Sequence, residues 1–116
     1  MKKLLLSLIA VSSIAMSATA YAGEGGSCHF HGNRPTTDAV VLDCAYQRKD
    51  AMVLNKRLDA AWKDIKHDKL EQIAGKKGTE WKLSFKNPQA KDKAQETLYM
   101  FYSLQGNYIA ANYTGE

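Results

Sequence analysis

The stretch TEWKLSFK, Thr79–Lys86, alternates without a break: Trp81, Leu83 and Phe85 point one way, and Glu80, Lys82, Ser84 and Lys86 the other. A period of two with one apolar side is the pattern of a half-buried strand in an antiparallel sheet. Upstream, Lys69–Ile73 forms a second short run, and the two are separated by GKKG, Gly75–Gly78, a glycine-bounded loop of hairpin length. Downstream, KNPQAKDKAQE contains Pro88 and has no periodicity, so it reads as a surface loop. Then come TLYMFYSL (97–104) and NYIAANYT (107–114), two β-rich runs joined by Gln105-Gly106. Glycine can supply the positive φ that such a tight turn needs. The spacing predicts a four-stranded antiparallel meander.

Both sides of TLYMFYSL are apolar or aromatic. That suits an inner strand covered on both sides, or one whose second face meets a ligand. Most of the late aromatics belong to the core, but one small core cannot take them all. Tyr99, Phe101 and Tyr108 are therefore the candidate ligand-facing residues.

Ahead of the strands, Thr36 or Thr37 can cap a helix with Asp38 in its first turn. Val40, Val41, Cys44, Ala45, Ala51 and Met52 recur at helical spacing, interrupted by Arg48, whose long stem can snorkel. A helix over 37–54 follows, with Asn55-Lys56-Arg57 as its stop and Asn55 suited to the left-handed conformation. Leu58, Ala61, Trp62 and Ile65 indicate a short second helix that buries Trp62. The expected fold is α+β: a helix covering one face of a four-stranded meander, in outline similar to cystatin-like or PepSY-like modules.

The chain begins MKK, continues with an apolar run of 13 residues from Leu4 to Met16, and reaches the small residues SATAYA. That order is a secretory signal peptide, and its apolar part is shorter than the roughly 20 residues of a membrane-spanning helix. Cleavage after Ala22 satisfies the small-x-small rule through Ala20 and Ala22. The organisation read from this is a leader over 1–22, a glycine-rich flexible arm over 23–35 and one domain over 36–116, secreted into the periplasm. A lipoprotein anchor at Cys28 has little support, because GGSC lacks the usual leucine three positions earlier. The formal charge of +4 includes Lys2 and Lys3; without them 14 basic side chains face 12 acidic ones. With no long basic run, binding to nucleic acid has little to draw on.

Chemistry concentrates in GEGGSCHFHG, Gly23–Gly32. Two cysteines in an oxidising compartment favour a disulfide, and closing Cys28 to Cys44 would stabilise the chain by about 3 kcal/mol. The same sulfurs serve a competing reading. His29 and His31, two apart in extended backbone, project to one side, and with Cys28 or Cys44 they form a Cu or Zn ligand set. With the disulfide closed, only the imidazoles remain, joined by His67 and a carboxylate such as Asp68 if the fold brings them near, for a weaker and more open site.

Other chemistries lack their residues. No C-x-x-C or C-x-x-C-H occurs, and Ser84 and Ser103 have no G-x-S-x-G turn. An amino-terminal copper clamp needs histidine at mature position three, which is Gly25. His67 reads as part of a solvated charge cluster with Asp68 and Glu71. Asn112-Tyr113-Thr114 is a glycosylation sequon without meaning behind a bacterial leader. No catalytic residues are assigned, and an enzyme is not expected.

The motifs C-H-F-H-G and G-N-Y-I-A-A-N, with CAYQRK and GKKGTEWKLSFKNP, carry a resemblance over residues 23–116 to a family of small secreted Gram-negative bacterial proteins of unknown function. The resemblance implies a periplasmic location and supplies no activity. Two expectations stand side by side: a non-enzymatic protein of envelope metal handling or stress that holds Cu or Zn, and a disulfide-stapled module recognising a protein or small ligand through the aromatic sheet face.

Overall fold

The computed structural model describes residues 28–116; the expected leader and residues 23–27 of the arm lie outside the described residues. In chain order the elements are helix α1 (Asp38–Leu54), a 3-10 turn (Ala60–Asp64), strands β1 (His67–Gly75) and β2 (Gly78–Lys86), a second 3-10 turn (Lys93–Gln95), and strands β3 (Thr97–Ser103) and β4 (Tyr108–Asn112). The strands form one antiparallel sheet in the order β1-β2-β3-β4, so the fold is α+β with a meander sheet.

Helix α1 starts where the threonines allow. Thr37 is extended, and its side chain accepts a hydrogen bond from the Val40 amide, satisfying one of the orphan donors of the first turn. At the other end the expectation needs correcting. Asn55 stays at φ −86°, and it is Lys56 that turns left-handed, at φ 64°. The reason lies in the bonding: the Lys56 amide donates to Val53 O and the Arg57 amide to Met52 O. That pair is a Schellman closure, which fixes the left-handed residue one position later.

The buried stripe of α1 is Val41, Cys44, Ala45 and Lys49. Arg48 is only partly covered, with its guanidinium 3.5 Å from the centroid of the Tyr108 ring. Lys49 is fully buried because its ammonium finds carbonyl acceptors: Nζ donates to Trp62 O (2.7 Å) and Lys63 O (2.9 Å). Those carbonyls belong to the first 3-10 turn. The short second helix expected over 58–65 is this tighter five-residue turn, capped by Asp59, and it does bury Trp62.

The register separates two faces of the sheet. Leu70, Leu83 and Met100 stand side by side, as do Trp81 with Tyr102 and Phe85 with Leu98. Together with Val41, Cys44, Ala45, Leu58 and Trp62 these residues form the core, between the sheet and α1. Each large side chain so buried stabilises by roughly 1.5–3 kcal/mol. On the reverse face, Lys69, Ser84, Tyr99 and Asn112 make one row across all four strands, and Glu71, Lys82, Phe101 and Ala110 the next. No helix covers this side among the described residues. The C-terminal residues fold over part of it, since Asn112 Oδ1 accepts from the Thr114 and Gly115 amides and brings Gly115 against the Tyr99 ring.

Candidate functional site

The described part of the arm, residues 28–35, contains neither helix nor strand, yet it is tied down at two points and again at Thr36, directly after it. Cys28 is bonded to Cys44 on α1, with a Cα–Cα distance of 5.7 Å. Phe30 is held through its backbone: its amide donates to Asn107 Oδ1, and Asn107 Nδ2 donates back to Phe30 O, both at 2.7 Å. Thr36 donates its amide to Leu104 O at 2.9 Å. The arm therefore runs along the turn between β3 and β4.

That turn is built to receive it. Gly106 has φ 104°, and a Cβ there would lie 3.1 Å from the Phe30 ring, so glycine serves both the turn and the close approach. Asn107 is oriented in its turn, for its backbone amide donates to Ser103 Oγ (3.1 Å) and its carbonyl accepts from the Ser103 amide (2.7 Å). The side chain that clamps Phe30 is thus locked by a second set of bonds.

Alternation along the anchored segment does the rest. Cys28 and Phe30 are partly buried against the core, while His29 and His31 between and after them are exposed. The two imidazoles meet edge to face with their centroids 4.8 Å apart. Both sulfurs of the expected Cys/His set are bonded to each other, so the disulfide reading takes the cysteines and the thiolate ligands are withdrawn from the metal reading. Among the described residues no group of three or more His, Cys, Asp or Glu side chains converges on a common point. What remains is a pair of imidazoles on a fixed segment.

His67 takes another part. The Tyr46 hydroxyl accepts from the His67 amide (2.8 Å) and lies 2.9 Å from His67 Nδ1, which pins the start of β1 to α1. The cluster with Asp68 and Glu71 does not form, because strand alternation and a bulge between His67 and Lys69 put His67 opposite Phe85 and Glu71 opposite Lys82, on different faces. Of the aromatic candidates, Tyr99 and Phe101 share the reverse face, but Phe101 is buried there with 5 % of its surface exposed, so only Tyr99 keeps part of its ring open. Tyr108 does not join them: its ring packs on Tyr102 at 5.8 Å, under Arg48. A bulge between Phe101 and Tyr102 shifts the β3–β4 register and turns Tyr108 toward the helix side.

Two buried groups have displaced titrations. Burial pulls Lys49 below the ordinary lysine value, with the Asp50 carboxylate opposing. Burial pushes the Tyr102 phenol up to about 12, with Arg48 pulling the other way. Lys49, Asn107 and Ser84, which is buried on the reverse face of the sheet, are the residues that sequence reasoning missed. The only available signal for Asn107 was an amide directly after the turn glycine.

A family model described as a family of unknown function (DUF6488) matches residues 1–116. No curated protein and no solved structure matches the chain.

Proposed function

We propose, for a chain that belongs to this family of unknown function, that it is a small non-enzymatic protein of the bacterial periplasm that holds a Cu or Zn ion through His29 and His31. Export rests on the leader read from residues 1–22. One observation carries the metal reading: two exposed imidazoles 4.8 Å apart on a segment fixed by a disulfide and by a two-bond amide clamp. Neutral imidazole is the common nitrogen ligand of both metals. Holding two of them in advance lowers the ordering cost of binding. With two protein ligands the ion keeps open positions, which suits a site that takes up and releases metal in envelope metal handling or stress protection, rather than a closed structural centre.

The test is titration of the oxidised mature protein with Cu(II), followed by calorimetry and by electron paramagnetic resonance. The expected result is one equivalent bound with nitrogen couplings from two imidazoles, lost in His29→Ala and in His31→Ala. Asn107→Ala, which frees the clamp and leaves both ligands in place, should weaken binding by about tenfold, in line with other supports of ligand orientation. Unchanged copper binding in both histidine variants would overturn the reading.

A further inference from the structure

The uncovered sheet face contains a second feature, independent of metal binding by the arm. Ser84 lies in the middle of that face with 5 % of its surface exposed, and its hydroxyl has no hydrogen-bond partner. Buried polar atoms are nearly always paired, so an orphan in a polar setting requires a cause. Around it the register and the alternation of β2 place three cations: Lys69 directly across on β1, and Lys82 and Lys86 two residues to either side on β2 itself. Tyr99 stands directly across on β3. These residues line a groove of about 240 Å³, with Ser84 in its floor. That is room for about eight waters at the liquid density, enough for a tetrahedral oxyanion and part of whatever carries it.

The charges around the groove are not internally spent. Asp68 and Glu71 also line it, so three ammonium groups meet two carboxylates. Among the described residues none of the three lysines forms an ion pair with either carboxylate. Lys82 stands instead over the rings of Tyr99 (5.0 Å) and Phe101 (5.8 Å), although Glu71 is its cross-strand neighbour. A cation held over aromatic faces retains donors for an incoming anion. The Ser84 hydroxyl supplies a further donor from below, and charge-assisted hydrogen bonds of this kind are the strong ones.

We infer that this groove is a binding site for a small soluble oxyanion, a phosphate or sulfate group seated on the Ser84 hydroxyl and ringed by Lys69, Lys82 and Lys86. The probe is inorganic phosphate added to the oxidised mature protein, with binding read from amide chemical shifts by NMR. Saturable shifts centred on Ser84, Lys82 and Tyr99 are expected, unchanged in a His29→Ala/His31→Ala variant. Ser84→Ala should weaken binding by about tenfold, the worth of a hydrogen bond to a charged group. It removes an orphan hydroxyl, so its thermal midpoint should not fall, and a loss of binding cannot be put down to misfolding. Lys86→Gln should weaken binding as well, whereas Lys91→Gln, which deletes the same charge from the loop outside the groove, should not. Equal binding by wild type and Ser84→Ala, an equal loss in Lys91→Gln, or sedimentation with phosphatidylglycerol vesicles without any response to free phosphate would each overturn the site.

Discussion

The two faces of this sheet come from one alternating pattern and end in opposite states. On the helix side two of the buried donors are answered from within, while the Tyr102 hydroxyl meets no hydrogen-bond partner and has only the Arg48 charge near it. Lys49 Nζ reaches two carbonyls, and Trp81 Nε1 donates to Leu104 O at 3.3 Å. On the reverse side Ser84 is buried and unanswered, and Lys82 rests on aromatic rings. Apolar burial with satisfied polar atoms is what holds a fold of this size together. On the reverse side the Ser84 hydroxyl, ringed by three lysines, adds nothing to stability and faces a groove open to a ligand. The helix side holds most of the apolar burial, and what sets the reverse side apart is an orphan hydroxyl ringed by lysines.

The largest test of that contrast sets Phe85 against Lys82. Phe85 has no exposed surface, and Phe85→Ala should cost about 3–5 kcal/mol in denaturant unfolding. Lys82→Ala, on the reverse face, should fall within about 0.5 kcal/mol of wild type. Similar losses for both would mean that the two faces do not divide the work.

A smaller effect, read by pH, tests the helix side alone. Because burial raises Tyr102 to about 12 from 10.0, the folded chain keeps this proton over a range where the unfolded chain releases it. Its contribution is intact below pH 10 and is lost as pH climbs toward 12, by about 2 to 3 kcal/mol in full. Lys49 has the opposite sign. Its folded value lies below 10.5, so the unfolded chain holds the proton longer and stability rises as pH approaches 10.5. Unfolding free energies measured across this range should therefore climb gently and then drop, and Tyr102→Phe should remove the drop. A drop that persists in Tyr102→Phe would place its origin elsewhere.

The strands were legible because half-burial leaves a trace of period two, and Thr79–Lys86 has it without interruption. Leu83 and Phe85 were assigned to the core face on that ground, and both are wholly buried there. The disulfide could be weighed from compartment and cysteine count, yet choosing between a sulfur bridge and a metal required knowing that the arm packs on α1. Tyr108 was misplaced because a bulge moves the face by one residue and leaves no mark in composition. Lys49 went unnoticed beside Arg48 for a related reason. Adjacent cations on a helix differ in burial only through what lies opposite, and the carbonyls that accept from Lys49 come from a turn 13 and 14 residues away. Ser84 reads as a solvent-side serine in any alternating strand. Its burial comes from the long side chains of its neighbours on β1, β2 and β3, which wall the groove around it, a property of three strands together.

The smallest prediction concerns backbone strain that belongs to neither face. Lys56 sits at φ 64°, where a side chain bearing Cβ pays about 1 kcal/mol relative to glycine. Glycine would relieve this but make the unfolded chain freer, and it would remove a cation near the end of α1, each worth some tenths of a kcal/mol. The net for Lys56→Gly is a gain of about 0.5 kcal/mol, or about 2–4 °C in the thermal midpoint. Lys56→Ala separates the causes, because it drops the charge and keeps Cβ, and should bring no gain. An equal rise in both variants would assign the effect to charge. A rise in glycine alone would locate it in the Schellman closure that leads the chain from α1 into the turn supplying the acceptors of Lys49, so that the helix side of the sheet still has unused stability in its connection while the reverse side has an unused donor in its floor.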